Sequence, residues 1–247
     1  LRPAPLSARH SSGHRDPSPV DDPSDLDRSG PRGSSGPSQD LLTMRTAIIA
    51  PSALLPTYAT TGYHLCLCHQ VLKSDVYAFF YKQSGSRGDF VILDNSAHEL
   101  GVGGMLMDMR QAASLTKPNE VVLPDRLFNG EDTVDYAKQF IDGFRDLAPS
   151  VMGVPQGTTS GEWERCCREL LSLGVDTIGI SKDYESWDGG LPQLVGVVRR
   201  AAKETWRPRL RQIHMLGWGR RLWQLSLLAS IEQGDIPIRG VDSGKPL

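Results

Sequence analysis

The stretch VMGVPQGTTSGEWERCCRELLSLGVDTIGI, from Val151 to Ile180, decides the fold. Val151–Val154 and Thr177–Ile180 are short, partly β-branched apolar runs and read as buried strands. Between them Trp163, Cys166, Cys167, Leu170 and Leu171 recur at helical spacing and give one apolar face. Thr159-Ser-Gly-Glu162 is a capping-box start for that helix, because the threonine oxygen and the glutamate satisfy its first free N–H groups. A strand, an amphipathic crossover helix and a second strand make a βαβ unit, which requires a parallel sheet.

The same alternation extends in both directions. Ala47–Ala50, Phe90–Leu93, Val121–Leu123, Gln212–Leu216 and Ile238–Val241 read as further strands. Val134, Ala137, Phe140, Ile141, Phe144 and Leu147 keep helical spacing. So do Leu191, Leu194, Val195, Val198, Ala201 and Ala202, and then Leu222, Leu225, Leu228 and Ala229. The class is α/β, and the expected architecture is a (β/α)8 TIM-barrel-like domain over 44–247, with an open doubly wound sheet as the alternative. Only seven strands are counted, and the seventh ends a few residues before Leu247. The expectation is therefore a barrel truncated after its seventh strand, or one that closes unusually.

Residues 1–43 are rich in Pro, Ser, Gly, Asp and Arg and lack apolar periodicity, so they read as a disordered or non-native N-terminal tail. They contain no apolar core of a signal peptide, and Met44 begins the first strand pattern. No run is long and apolar enough to span a bilayer. The formal net charge of −2 carries no global nucleic-acid signature. Locally, Arg199, Arg200, Lys203, Arg207, Arg209, Arg211, Arg220 and Arg221 face the single acid Glu204 in their segment. That segment is either a solvated helix face and loop or a phosphate-contact surface. Cys66/Cys68 and Cys166/Cys167 lie in helical patterns whose geometry does not suit disulfides, which fits a reduced, cytoplasmic compartment. His64, Cys66, Cys68 and His69 cannot all aim at one ion from one helix, so no metal is expected.

Three strand patterns end in an acid: Asp94, Asp125 and Asp242. Any one of them suits a turn or a helix cap. Together, at the C-terminal ends of barrel strands, they converge on one mouth. Two carboxylates around an anomeric carbon can divide displacement and proton transfer. A third, with the amide of Gln156, can read a purine-like edge. Glycines at the fifth and sixth strand ends allow close backbone approach to a flat ligand. A retaining glycoside hydrolase would use Asp94 and Asp242 with stacking aromatics, for which Trp187, Trp218 and Trp223 are weak candidates. A barrel that only binds nucleic acid or a partner is the non-enzymatic alternative.

In this order the strand ends resemble the tRNA-guanine transglycosylase (queuine tRNA-ribosyltransferase) superfamily, most closely its phage-type members linked to 7-deazaguanine in DNA. The resemblance covers most of 44–247. It implies a pentosyltransferase that exchanges guanine in tRNA or phage DNA for a free 7-deazaguanine base through a covalent aspartyl-glycosyl intermediate, without a cofactor. It implies Asp242 as nucleophile, with Pro246 repeating that motif's proline, and Asp94 as general acid/base. Asp125 would grip the amidine face of the base, and Gln156-Gly157 its carbonyl. The backbone of Gly179 and Ile180 would line the base pocket, and the Met215 side chain would lie under the base. The acceptor would meet a basic rim formed by Arg199, Arg200, Arg207, Arg209, Arg211, Arg220 and Arg221. Two departures favour the phage type: Asn-Ser-Ala follows Asp94 in place of Ser-Gly-Gly, and the zinc-binding cysteines of the tRNA enzymes do not occur before Leu247.

Overall fold

The structure, a computed structural model, describes residues 44–205, 209–218, 222–231 and 234–243. The proposed tail at 1–43, Arg207, Arg220, Arg221 and Pro246 lie outside the described residues. The chain runs through β1 (Arg45–Ile48), α1 (Leu55–Tyr58), β2 (Tyr63–Leu67), α2 (Cys68–Lys73), α3 (Asp75–Ser86) and β3 (Phe90–Asp94). Then come α4 (Ala97–Leu100), α5 (Leu106–Thr116), β4 (Glu120–Val122), α6 (Gly130–Arg145), β5 (Ser150–Gly153) and α7 (Ser160–Ser172). The last part holds β6 (Thr177–Ser181), α8 (Gly190–Glu204), β7 (Gln212–Leu216), α9 (Leu222–Ser230) and β8 (Ile238–Ser243). Among the described residues no helix is long and apolar enough to cross a membrane.

The strands form one parallel sheet in the order β1-β8-β7-β6-β5-β4-β3-β2. Across the seam between β1 and β2, Thr61 Oγ1 donates to Thr46 O at 3.0 Å. The result is a nearly closed (β/α)8 barrel with eight strands, so the expected truncation after a seventh strand does not occur. The missed strand is β2. Its five residues Tyr63–Leu67 are all buried, so no polar alternation marks it and its sequence passes for a helical run. Cys66 therefore sits in a strand, and only Cys68 begins a helix.

Parity sorts the strand residues. Leu65, Leu67, Ile92, Val122, Met152 and Val154 pack together inside the barrel. Leu93, Val121, Ile178, Ile180, Ile213 and Met215 face the helical layer. The opening βαβ unit is as the sequence implies: Thr159 accepts from Glu162 N at 3.2 Å, and Trp163, Cys166, Cys167, Leu170 and Leu171 are buried. Each fully buried leucine on such a face contributes about 1.5–3 kcal/mol.

β8 breaks the alternation, to a purpose. Ile213 pairs with Ile238 but His214 pairs with Gly240, leaving Arg239 as the extra residue of a bulge. Ile238 and Val241 pack outward, while Arg239 reaches inward to Glu120 and Asp242 lines the mouth. Positions 239 and 242 have opposite parity, so without the bulge one of them would turn into the helical layer. Gly240 makes the bulge feasible, because a Cβ there would lie 2.6 Å from Arg45 O and 2.9 Å from Tyr63 Cε1. Gly240→Ala is expected to cost about 3 kcal/mol in urea unfolding. Gly161→Ala, in α7 with nothing within 4 Å of the added carbon, is expected to be neutral or to gain up to about 1 kcal/mol.

A candidate active site at the barrel mouth

The strand-end acids meet in one cavity of about 140 Å³, lined among others by Asp94, Asn95, Asp125, Gln156, Leu216 and Asp242. Pockets for drug-sized ligands hold roughly 300–1,000 Å³, so this space suits a small ligand or one moiety of a larger one. The apolar walls come from Ile49, Leu65, Leu67, Val154 and Leu216, which rise from the barrel interior. Glu99, Ser181, Lys182, Asp183 and His98 stand at the same mouth.

Asp94 closes β3, and its Oδ2 accepts from Ser96 N at 2.7 Å. This tight turn puts Ser96 at φ 64°, a left-handed conformation that suits glycine better. The Ser-Gly-Gly that follows the aspartate in the resembled family has glycine at this position. Burial raises the Asp94 carboxyl well above its usual range, and the charges of Glu99, Asp125 and Asp242 add to the effect. A carboxyl in that state holds a proton it can donate.

Asp125 follows β4 and is buried. Asn95 Nδ2 donates to its Oδ1 at 2.6 Å and Gln156 Nε2 to its Oδ2 at 2.5 Å. Burial pushes its pKa up to about 6, against the opposing pull of the two amides. Asn95 is fixed in turn, donating also to Leu123 O and accepting from Ala97 N at 2.8 Å. Gln156 Oε1 accepts from Tyr184 OH at 2.6 Å and Phe128 N at 3.0 Å. The Gln156 amide thus keeps one N–H beyond its bond to Asp125. Asn95 and Tyr184 were not foreseen from the sequence; the departure of Asn95 from the motif was the available signal.

Asp242, at the end of β8, is held differently. Its Oδ1 meets His214 Nε2 at 3.1 Å, and its Oδ2 accepts from Gly217 N at 3.1 Å. Burial lowers the pKa of His214, opposed by its bond to Asp242, so the imidazole is neutral. Both oxygens of Asp242 are thus engaged and its orientation is fixed.

Other expected site residues lie elsewhere. Ile180 and Met215 are buried in the outer layer by parity, and Leu216 and Ser181 occupy the cavity wall in their place. Gly179 sits beneath that wall, where a Cβ would come within 2.8 Å of Leu216 Cδ1 and 2.9 Å of Met152 Sδ. Gly157 donates its N–H to Tyr184 OH at 3.2 Å, beside the start of α7, and does not line the cavity. Trp218 is buried with Nε1 donating to Ile180 O, and Trp187 packs on Tyr184 at 4.4 Å, so neither offers a stacking face at the mouth. The side chain of Trp223 lies outside the described residues.

The arginine segment does not form the expected basic rim where it is described. Arg209 and Arg211 precede β7, at the end of the barrel opposite the mouth, and Arg211 N donates to Asp176 O, just before β6. Arg199 donates to Ile236 O, just before β8, and so serves the same end. Arg200 is exposed near the C-terminal end of α8.

No family model matches the chain, and no curated protein does. Among solved structures, the chain is similar to KGPDC from Streptococcus mutans, with TM-score 0.52 and 9% identity over 81% of this chain and 87% of that one. A structure of the tryptophan synthase a2b2 complex from Pyrococcus furiosus aligns with TM-score 0.49 and 14% identity over 80% and 85%. At such identities the first likeness shows the barrel fold alone.

A raised carboxyl pKa costs stability as pH rises. Asp94 binds its proton more tightly folded than unfolded, so its contribution is full below its unfolded value, near 4, and is lost as pH climbs through its folded value. Asn can keep the acceptor for Ser96 N. Asp94→Asn is therefore expected to melt at a higher temperature than wild type at pH 8, with the gap narrowing towards pH 4 in thermal scans.

Proposed function

We propose that this protein is a base-exchange transglycosylase that replaces guanine with a 7-deazaguanine through an aspartyl-glycosyl intermediate. The observation that carries the reading is the division of labour in one small cavity. A proton-holding Asp94, an amide-braced Asp125 and an Asp242 engaged at both oxygens meet there. The resemblance of the strand ends to the tRNA-guanine transglycosylase superfamily supports it further.

The chemistry closes with these groups. An Asp242 oxygen attacks the anomeric carbon, and the C–N bond breaks with its electron pair passing to the base nitrogen. Asp94 gives its proton to the departing base. The incoming base returns a proton to Asp94 as its nitrogen attacks the same carbon, and Asp242 leaves as carboxylate. Asp125 accepts N–H groups of the base edge, and the remaining Gln156 N–H suits its carbonyl. The described tryptophans leave the mouth without sugar-stacking faces, which weighs against a glycoside hydrolase.

One observation favours a variant of this reading. Among the described residues Glu99, Asp125, Asp183 and Asp242 line the mouth beside the proton-holding Asp94, with Lys182 and His98 as the basic groups. Such a field favours a nucleoside over a long polyanion. Incubation with labelled guanine and tRNA, DNA or guanosine in separate arms tests both versions. Label is expected in one acceptor, and Asp242→Asn is expected to lower the rate on the order of 10⁴-fold. No incorporation in any arm would sink the proposal; incorporation into guanosine alone would select the nucleoside version.

A further inference from the structure

Behind Asp242 a continuous line of buried polar side chains runs down the barrel interior. His214 Nδ1 lies 2.8 Å from Tyr63 OH, and Arg239 Nε donates to the same phenol oxygen at 2.8 Å. Arg239 Nη2 pairs with Glu120 Oε2, and Glu120 Oε1 accepts from Ser150 Oγ at 2.8 Å and Thr177 Oγ1 at 2.5 Å. Arg239 also lies over the Phe90 ring, 4.7 Å from its centroid. Tyr63, Glu120 and His214 are buried, and neither Tyr63, Arg239 nor Glu120 borders the cavity.

The donor inventory fixes the direction of every bond. A guanidinium can only donate, so the Tyr63 oxygen is the acceptor of Arg239 Nε–H. The one proton of the phenol then goes to His214 Nδ1, which must be unprotonated to accept it. A neutral imidazole with a bare Nδ1 carries its proton on Nε2, facing Asp242 Oδ1. The reverse arrangement would leave the phenol proton without an acceptor and set a nitrogen lone pair against a carboxylate. Burial of both Arg239 and Glu120 also demands their pairing, which fixes the bottom of the line. The bulge at Arg239 and Gly240 lets one strand supply both ends of it.

We infer that Tyr63, Arg239 and Glu120 are positioning residues: they lock His214 as the Nε2–H tautomer, and His214 aims Asp242 as an oriented anion at the cavity. The ring state is a property of the fold, whereas its effect on rate rests on the base-exchange reading.

The test uses the full chain with ¹⁵N-histidine, together with Tyr63→Phe, His214→Gln and His214→Leu. In wild type at pH 7 the His214 resonances should report a neutral ring with Nε2 protonated and Nδ1 bare. Tyr63→Phe removes the Nδ1 donor without touching the cavity, and the ring should redistribute between tautomers. In the exchange assay its kcat should fall about 10- to 100-fold with KM within about twofold. His214→Gln keeps an amide N–H available to Asp242 and should retain more kcat than His214→Leu. An imidazolium or an Nδ1–H ring in wild type overturns the inference. Unchanged kcat in a folded Tyr63→Phe whose ring has redistributed overturns the positioning role. A wild type that exchanges no base but shows the Nε2–H ring sinks the proposed reaction and upholds the locked tautomer.

Discussion

The buried pair between Arg239 and Glu120 organises this barrel. It places a full charge of each sign inside the strand cylinder, where either alone would be strongly destabilising. Burial pushes the Glu120 carboxyl up, and the guanidinium beside it holds it below the usual range, so the pair stays ionised. Everything above inherits its direction. Because Arg239 must donate, Tyr63 must accept from it and donate to His214, and His214 must present its proton to Asp242. The site at the mouth is thus oriented from the opposite end of the barrel. The structural cost is one bulge and one glycine whose missing Cβ leaves room for Arg45 O.

The sequence carried the strand–helix alternation because crossover helices must show an apolar stripe, and α6, α7 and α8 do. The strand-end acids Asp94, Asp125 and Asp242 and the amide of Gln156 were legible for a related reason: a polar group closing an apolar run is conspicuous. Three things were hidden. β2 is buried on both faces and carries no alternation. Ile180 and Met215 were assigned to the pocket by the family resemblance, whereas a strand turns every second side chain away, so the wall falls to Ser181 and Leu216. Glu120 and Arg239 are far apart in sequence, and nothing local in either strand announces that they pair across the interior.

Electrostatics divides the two ends of the barrel. Carboxyl groups gather at the mouth, where burial first and neighbouring charge second raise the proton affinity of Asp94, while Arg209 and Arg211 precede β7 at the other end. A charge run in sequence says nothing about which end of a strand it will reach. That depends on which side of the strand it lies, and these arginines come before β7. Burial and neighbouring charge at the mouth thus act together on the proton affinity of Asp94.

In the proposed reaction Asp242, and no other residue, becomes bonded to the sugar. Intact-mass analysis of wild-type protein, quenched in acid after incubation with the active guanine-containing acceptor and no incoming base, tests it directly. The account predicts a fraction of the protein heavier by the acceptor less its guanine, with digestion mapping the added mass to the peptide that carries Asp242. Added mass mapped to a peptide carrying Asp94 or Asp125, or no retained mass under conditions that release free guanine, would contradict it.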